Sequence, residues 1–145
     1  MTDEEVLELL ATGNAAREAA RAAYGQAYTG ATSDVARCWA AHMVAIEEDV
    51  PEEKLRWNML SLEAADAATG DPRQSTLYPT VFGNIGLSHL WLAQPEEARC
   101  WYEKALQSVD VADLPRERLD RYRGAIDHML SIINSAGRDA EVPAG

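Results

Sequence analysis

Apolar residues recur along most of the chain at the spacing of amphipathic helices. The clearest stripe lies between Pro95 and Val109, where apolar side chains follow one another at i, i+3, i+4, i+7, i+8 and i+11. They are Ala98, Trp101, Tyr102, Ala105, Leu106 and Val109. Pro95 suits a first helical turn, and the two glutamates after it favour the positive end of the helix dipole. No segment alternates with the two-residue period of a strand, so the pattern predicts an all-α protein.

Turn-forming residues divide the chain into about seven predicted helices. A break at Gly13-Asn14 separates a short stub from an Ala-rich helix that runs to about Tyr28. The stretch from Asp71 to Tyr78 is either a helix start kinked at Pro79 or a loop before that proline. A last helix is predicted over 116–136, and residues 138–145 are expected to form a flexible tail.

Two parts of the chain repeat each other at a period of 44 residues. Segments 51–66 and 95–110 share the pairs Pro51/Pro95, Glu52/Glu96, Glu53/Glu97, Trp57/Trp101, Leu62/Leu106 and Asp66/Asp110. The helices before them share no identities in this register. The helix over 80–93 has apolar residues on two sides, so it must be covered on two faces, either in a compact bundle or as an inner helix of a stack. The repeat favours the stack.

One segment has the residue spacing of a known repeat family. The matching positions are Phe82, Ile85, Gly86, His89, Ala98, Tyr102 and Ala105. With them the chain resembles the tetratricopeptide-repeat (TPR) family, in which small residues let paired helices cross closely. His89 departs from the Tyr of the family pattern, and Asp110 stands where the family prefers Pro.

The resemblance implies a single domain over 1–137, built as a right-handed α-α superhelix. Its expected parts are a degenerate half repeat (3–28), two repeats (33–69 and 72–109) and a C-terminal capping helix (115–136). The resemblance also implies a concave face on the inner helices that binds a protein or peptide, because large aromatic side chains commonly anchor such interfaces. The residues expected on that face are Trp39, Met43, Ile46, Leu87, Leu90 and Trp91.

The expected function is therefore a non-enzymatic protein-interaction module. The alternative is a sensor that encloses a small ligand or a signalling peptide inside the helical stack. The first helices or the C-terminal helix could also fill the groove, and homo-oligomerisation could use the same apolar face.

Charge narrows the choice of partners. The 145 residues include 24 acidic and 13 basic ones, for a net charge of −11. Such a field disfavours nucleic acid and anionic membranes and favours a basic partner. Four arginines are interleaved with Glu117 and Asp120, which favours a solvated helix face over an anion site. They are Arg116, Arg118, Arg121 and Arg123.

The chain begins without an export signal and has no apolar run of ~20 residues, so a cytoplasmic protein is expected. Eleven arginines against two lysines, together with abundant alanine, suggest a GC-rich bacterial source.

Few residues offer catalytic or metal-binding chemistry. The sequence contains no phosphate-binding Gly-rich loop, nucleophile elbow or Cys-x-x-Cys motif. Cys38 and His42 lie on one helix face at i and i+4, but zinc takes three or four protein ligands. Packing is the preferred interpretation of both residues, which are also the only support for an enzyme. No catalytic site, cofactor or metal is predicted.

Overall fold

The structure, a computed structural model, describes the backbone of residues 1–141 and the side chains of residues 1–137. This part of the chain contains helices and no strand, which confirms the all-α class. The helices are α1 (Asp3–Gly30), α2 (Asp34–Glu47), α3 (Pro51–Ala67), α4 (Gln74–Trp91), α5 (Pro95–Val109) and α6 (Arg116–Glu141).

The predicted break at Gly13-Asn14 is wrong, because α1 passes through it as one helix of 28 residues. A glycine inside a helix costs only about 1 kcal/mol relative to alanine, and its neighbours here are strong helix formers. A capping box fixes the start of α1: the Glu5 amide donates to Thr2 Oγ1 at 3.1 Å, and the Thr2 amide donates to Glu5 Oε2 at 2.7 Å. The described residues therefore form six helices where seven were predicted.

Helices α3 and α5 both begin at the proline that the sequence indicated. Helix α4 begins at Gln74 and includes Pro79, so the alternative of a loop up to Pro79 is wrong. The chain is already helical before this proline, as the other alternative predicts, but the helix starts at Gln74, after a turn over residues 71–73. Asp71 stabilises that turn, because its Oδ1 accepts from the Arg73 amide at 2.9 Å. The hydrogen bonds from Arg73 lower the pKa of Asp71 to about 2. Helix α4 has 18 residues against 14 in α2, and this contributes to the long repeat period.

Each helix packs on the next along the chain, and α2 also contacts α4. One core cluster joins α2, α3 and α4 around Cys38, Leu77 and Ile85. A second cluster joins α5 and α6 around Tyr102 and Ile126.

The residues that carry the family resemblance lie at the contact between α4 and α5. Ile85, Ala98 and Ala105 are fully buried, and a Cβ on Gly86 would lie 3.0 Å from the Tyr102 ring. Phe82 and His89 are half-buried and belong to an aromatic row: the centroid distances are 5.2 Å for Tyr78–Phe82, 5.9 Å for Phe82–Trp101 and 6.5 Å for His89–Trp101.

The two terminal helices are only partly covered. Helix α1 has no buried residue, and Val6, Leu7, Leu9 and Leu10 near its start are exposed. Helix α6 buries Ile126 and Ile133 against α5 and continues to Glu141, five residues beyond the predicted end at 136. It thus includes the first part of the segment expected to be a tail, and residues 142–145 lie outside the described residues.

Candidate functional site

A groove lies between helices α2 and α4, with the first turns of α3 beside it. We call it the α2/α4 groove; it has a volume of about 60 Å³. Its lining residues are Ala45, Ile46, Lys54, Asn58, Asn84, Leu87, Ser88 and Trp91. None of them belongs to α1 or α6, so neither terminal helix fills the groove within the described part of the chain.

Three of the six residues expected on the concave face line this groove: Ile46, Leu87 and Trp91. The Trp91 side chain is 51% exposed and that of Ile46 is 49% exposed, so both form an open apolar rim. Trp39 and Met43 lie on α2 at seven and three residues before Ile46, which places them on the same helix face.

Trp39 is 38% exposed and contacts the His42 ring edge-to-face, with 5.6 Å between the centroids. Met43 is half-buried. Leu90 lies elsewhere, because it packs against the cluster that joins α5 and α6.

Lys54 connects the end of α2 with the rim of the groove. Its Nζ donates to the carbonyl oxygens of Ala45 at 3.0 Å and Ile46 at 3.3 Å, which caps the last turn of α2. The same Nζ lies 4.7 Å from the Trp91 ring centroid, in cation–π contact. Burial is the main cause that lowers the pKa of Lys54. The lysine therefore holds one side of the indole while its other side is open to solvent.

The floor of the groove is polar and internally hydrogen-bonded. Asn58 Nδ2 donates to Ser88 Oγ at 2.9 Å, and Ser88 Oγ donates to the Asn84 carbonyl at 2.9 Å. Asn84 Nδ2 donates to His42 Nδ1 at 2.8 Å, which places the proton of a neutral His42 on Nε2. Burial lowers the pKa of His42, so the neutral ring is favoured.

Lys54, Asn58, Asn84 and Ser88 are not among the residues that the sequence predicts for this site. Asn84 and Ser88 are polar residues on α4, the helix with two apolar faces, while Lys54 and Asn58 lie on α3 and have no comparable sequence signal. The partners of these four residues lie up to 42 positions away.

Cys38 and His42 are not brought together as metal ligands. Cys38 Sγ lies 3.3 Å from Ser61 Oγ, which also donates to the Cys38 carbonyl at 2.9 Å. Burial raises the pKa of the Cys38 thiol, which favours the protonated form. Within the described residues, no group of three or more His, Cys, Asp or Glu side chains could hold a metal ion.

A second pocket, which we call the α4/α6 pocket, lies on the other side of α4. It has a volume of about 260 Å³ and shares Asn84 and Leu87 with the α2/α4 groove. Its other walls include Thr80, Gly83, Tyr102, Tyr122, Ile126 and Met129. At one side the Thr80 and Tyr122 hydroxyl oxygens are 2.6 Å apart. Asn84 and Leu87 therefore separate the α2/α4 groove from the α4/α6 pocket.

Comparisons with protein-family models, curated proteins and solved structures found no match to this chain. The resemblance to the TPR family thus rests on the residues between Phe82 and Ala105 and stays a prediction. None of the described helices is long and apolar enough to cross a membrane.

Proposed function

We propose that this chain is a non-enzymatic protein- or peptide-interaction module and that its partner docks in the α2/α4 groove. The observation that carries the proposal is the exposed rim of Trp91 and Ile46, set on two helices that are otherwise well packed. Tryptophan is enriched among the residues that dominate binding energy at interfaces. A partner would gain apolar contact area by covering this rim.

The polar floor supports docking of a partner that brings apolar side chains. Asn58, Asn84 and Ser88 already satisfy one another and His42. The side-chain amide nitrogens of Asn58 and Asn84 and the Ser88 hydroxyl would therefore stay hydrogen-bonded under a partner that covers the rim, which lowers a common cost of association.

The proposal includes the finer architecture that the resemblance implies. The helices α2/α3 and α4/α5 would be two TPR-like hairpins of a right-handed superhelix, with α1 and α6 packed on either end. The contact of α2 with α4 supports it, because inner helices of neighbouring hairpins touch in such a stack.

The test is affinity capture from the native lysate with the wild-type chain and a Trp39→Ala/Trp91→Ala variant, followed by mass spectrometry. We expect a specific protein to be captured by the wild type and lost with the double variant. Ile132→Ala is the matched control, because Ile132 is an equally exposed apolar residue on α6. Circular dichroism must show that all three proteins are folded; equal capture by all of them would contradict the proposal.

A small-ligand sensor is the second candidate function. The α4/α6 pocket favours it, because the pocket is larger than the groove and has mostly apolar walls. A ligand at free concentration L that binds only the folded state raises the free energy of unfolding by RT ln(1 + L/Kd), so this candidate predicts stabilisation that grows with ligand concentration.

A further inference from the structure

The α4/α6 pocket has room for a small molecule with an apolar body. Its volume of about 260 Å³ lies between the ~150 Å³ cavity that takes benzene and the ~300 Å³ of the smallest drug-sized pockets. A Cβ on Gly83 would meet no atom within 4 Å, so the α4 wall is open at this position. The pocket therefore suits a body of one or two rings.

Tyr102, one of the residues that line this pocket, has a hydroxyl that no other described side chain bonds. Tyr102 lines the pocket and is only 4% exposed. Its hydroxyl forms no hydrogen bond with the described residues. Every fully enclosed side-chain polar atom in this part of the chain has a partner, so the Tyr102 hydroxyl is not fully enclosed. The small accessible surface of Tyr102 therefore includes its hydroxyl, which is free to bond a ligand. Desolvation alone raises the pKa of Tyr102 to about 12, so the hydroxyl keeps its proton.

Two arginines stand where the pocket continues along α6. Arg118 and Arg121 line a neighbouring recess together with Tyr122, and Tyr122 also lines the α4/α6 pocket. The spacing of a helix places these arginines on the same face of α6 as the residues that line the pocket. From its start, this face consists of Arg118, Arg121, Tyr122, Ala125, Ile126 and Met129, so it is basic at one end and apolar at the other.

The sequence favours a solvated helix face for these two arginines, because Glu117 and Asp120 are interleaved with them. The structure pairs them with neither acid, whereas most arginines of this protein form ion pairs. Neither Arg118 nor Arg121 forms a salt bridge within the described side chains, whereas Arg123 pairs with Asp110 at 2.8 Å. Two like charges at i and i+3 repel each other, and a bound anion would relieve that repulsion. In a chain of net charge −11, this is an unusual place for unpaired positive charge.

We propose that the α4/α6 pocket binds a small aromatic carboxylate, with its rings beside Gly83 and its carboxylate at Arg118 and Arg121. Arginine suits this role because its planar donors match a carboxylate in two parallel hydrogen bonds. The Tyr102 hydroxyl is the contact for a second polar atom at the far end of the rings. This inference rests on the second candidate function and not on partner docking in the α2/α4 groove.

The experiment measures binding of 2-naphthoate and of its neutral isostere 2-naphthamide to the whole chain by titration calorimetry. We expect 2-naphthoate to bind at least about tenfold more tightly, which corresponds to about 1.4 kcal/mol. No binding of 2-naphthoate at millimolar concentration, or equal affinity for the two compounds, would overturn the proposal.

Substitution at Gly83 tests the place of binding. Gly83→Leu would fill the pocket without a clash at its Cβ, and we expect it to abolish binding of both compounds while the protein stays folded. Gly83→Ala is the control, since it gains the same helix propensity but leaves most of the pocket open. Unchanged affinity of Gly83→Leu for 2-naphthoate would place the site elsewhere.

Arg118→Gln/Arg121→Gln tests the carboxylate contact. We expect it to remove the preference for 2-naphthoate over 2-naphthamide and to leave the affinity for the amide within about twofold. A preference that persists in this variant would overturn the assignment of the two arginines.

The hydroxyl contact is tested with 6-hydroxy-2-naphthoate. We expect it to bind the wild type more tightly than 2-naphthoate does and to lose that advantage in Tyr102→Phe. An advantage that survives in Tyr102→Phe, or none in the wild type, would remove Tyr102 from the ligand contacts.

Trp91→Ala separates this inference from the groove. We expect the variant to bind 2-naphthoate as the wild type does and to lose its protein partner. If partner capture fails in every variant while Gly83→Leu still abolishes ligand binding, only the docking proposal fails. If the ligand does not bind the wild type while Trp91→Ala loses the partner, only this inference fails.

Discussion

Beneath the groove, hydrogen bonds between single side chains join helices that are far apart in the sequence. Asn84 on α4 bonds His42 on α2, and Asn58 on α3 bonds Ser88 on α4. Buried polar groups of this kind are costly when unpaired, so these bonds favour one relative placement of the three helices. The position of the exposed Trp91 rim therefore depends on this polar floor.

The pH dependence of stability should report the state of His42. Burial lowers the pKa of His42 in the folded chain, while the unfolded chain keeps a value near 6.5. Below about pH 6.5 the unfolded state therefore binds more protons, and this contribution to stability is lost as the pH falls. We expect the free energy of unfolding to fall more from about pH 7.5 to about pH 5.5 in the wild type than in His42→Gln.

Urea denaturation at the two pH values measures the change in the free energy of unfolding, once for the wild type and once for His42→Gln. The variant is the control for all other titrating groups, since it keeps them and lacks only the imidazole. An equal change in wild type and variant would contradict the account of His42.

Alanine substitutions at Gly83 and Gly86, two glycines on α4, should change the stability of the protein in opposite directions. A Cβ at Gly83 meets nothing, so we expect Gly83→Ala to stabilise by roughly 0.5–1 kcal/mol through helix propensity. A Cβ at Gly86 would lie 3.0 Å from the buried Tyr102 ring, and overpacking costs about 1–3 kcal/mol. Chemical denaturation should rank Gly86→Ala as the less stable variant by at least ~1 kcal/mol; the reverse order would contradict the close crossing of α4 and α5.

At the level of elements, the sequence predicted helix starts better than helix breaks. Proline followed by two glutamates marks the first turns of α3 and α5 with a local mechanism, and both helices begin there. Gly13-Asn14 has no such mechanism, because one glycine among helix formers is a small local cost, and α1 continues through it. Pro79 is also tolerated inside α4.

The candidate site was predictable only in part. The resemblance to the TPR family alone implied that Trp39, Met43 and Ile46 lie on one exposed face, whereas helical periodicity places Leu87, Leu90 and Trp91 on one side of α4. Leu90 lies one residue from Trp91, and only packing against α5 and α6 decides which side it faces. The hydrogen bonds of the floor and the arrangement of α6 beside α4 depend on long-range contacts that one sequence does not encode locally.

Replacing a leucine with alanine should lower the stability much more in the core than in the exposed first turns of α1. Leu10 is 59% exposed and Leu77 is 1% exposed, and both lie in helices. We expect Leu77→Ala to cost about 2–5 kcal/mol of unfolding free energy and Leu10→Ala less than ~0.5 kcal/mol. Equilibrium denaturation measures both; a large loss for Leu10→Ala would mean that the start of α1 is covered, as it would be in a homo-oligomer.

Over the whole molecule, the net charge of −11 should act on association with a partner more than on folding. A negative field steers a basic partner toward the surface, and at 0.1 M salt this attraction is largely screened beyond a distance of about 10 Å. For a partner captured through the groove, we expect the association rate constant to fall as salt is raised and the dissociation rate constant to change little. Surface plasmon resonance at low and high salt measures both; an association rate independent of salt would contradict a basic partner.

Site-specific photo-crosslinking tests the central claim, that a protein docks in the α2/α4 groove. A photoreactive phenylalanine analogue would replace Ile46 in one protein and Ile132 in a second, since Ile46 lines the groove and the two isoleucines are similarly exposed on different surfaces. Trp91 stays in place in both proteins. After irradiation in the native lysate, we expect a discrete adduct from position 46 and none from position 132. No adduct from position 46, or the same adducts from both positions, would contradict docking in the groove.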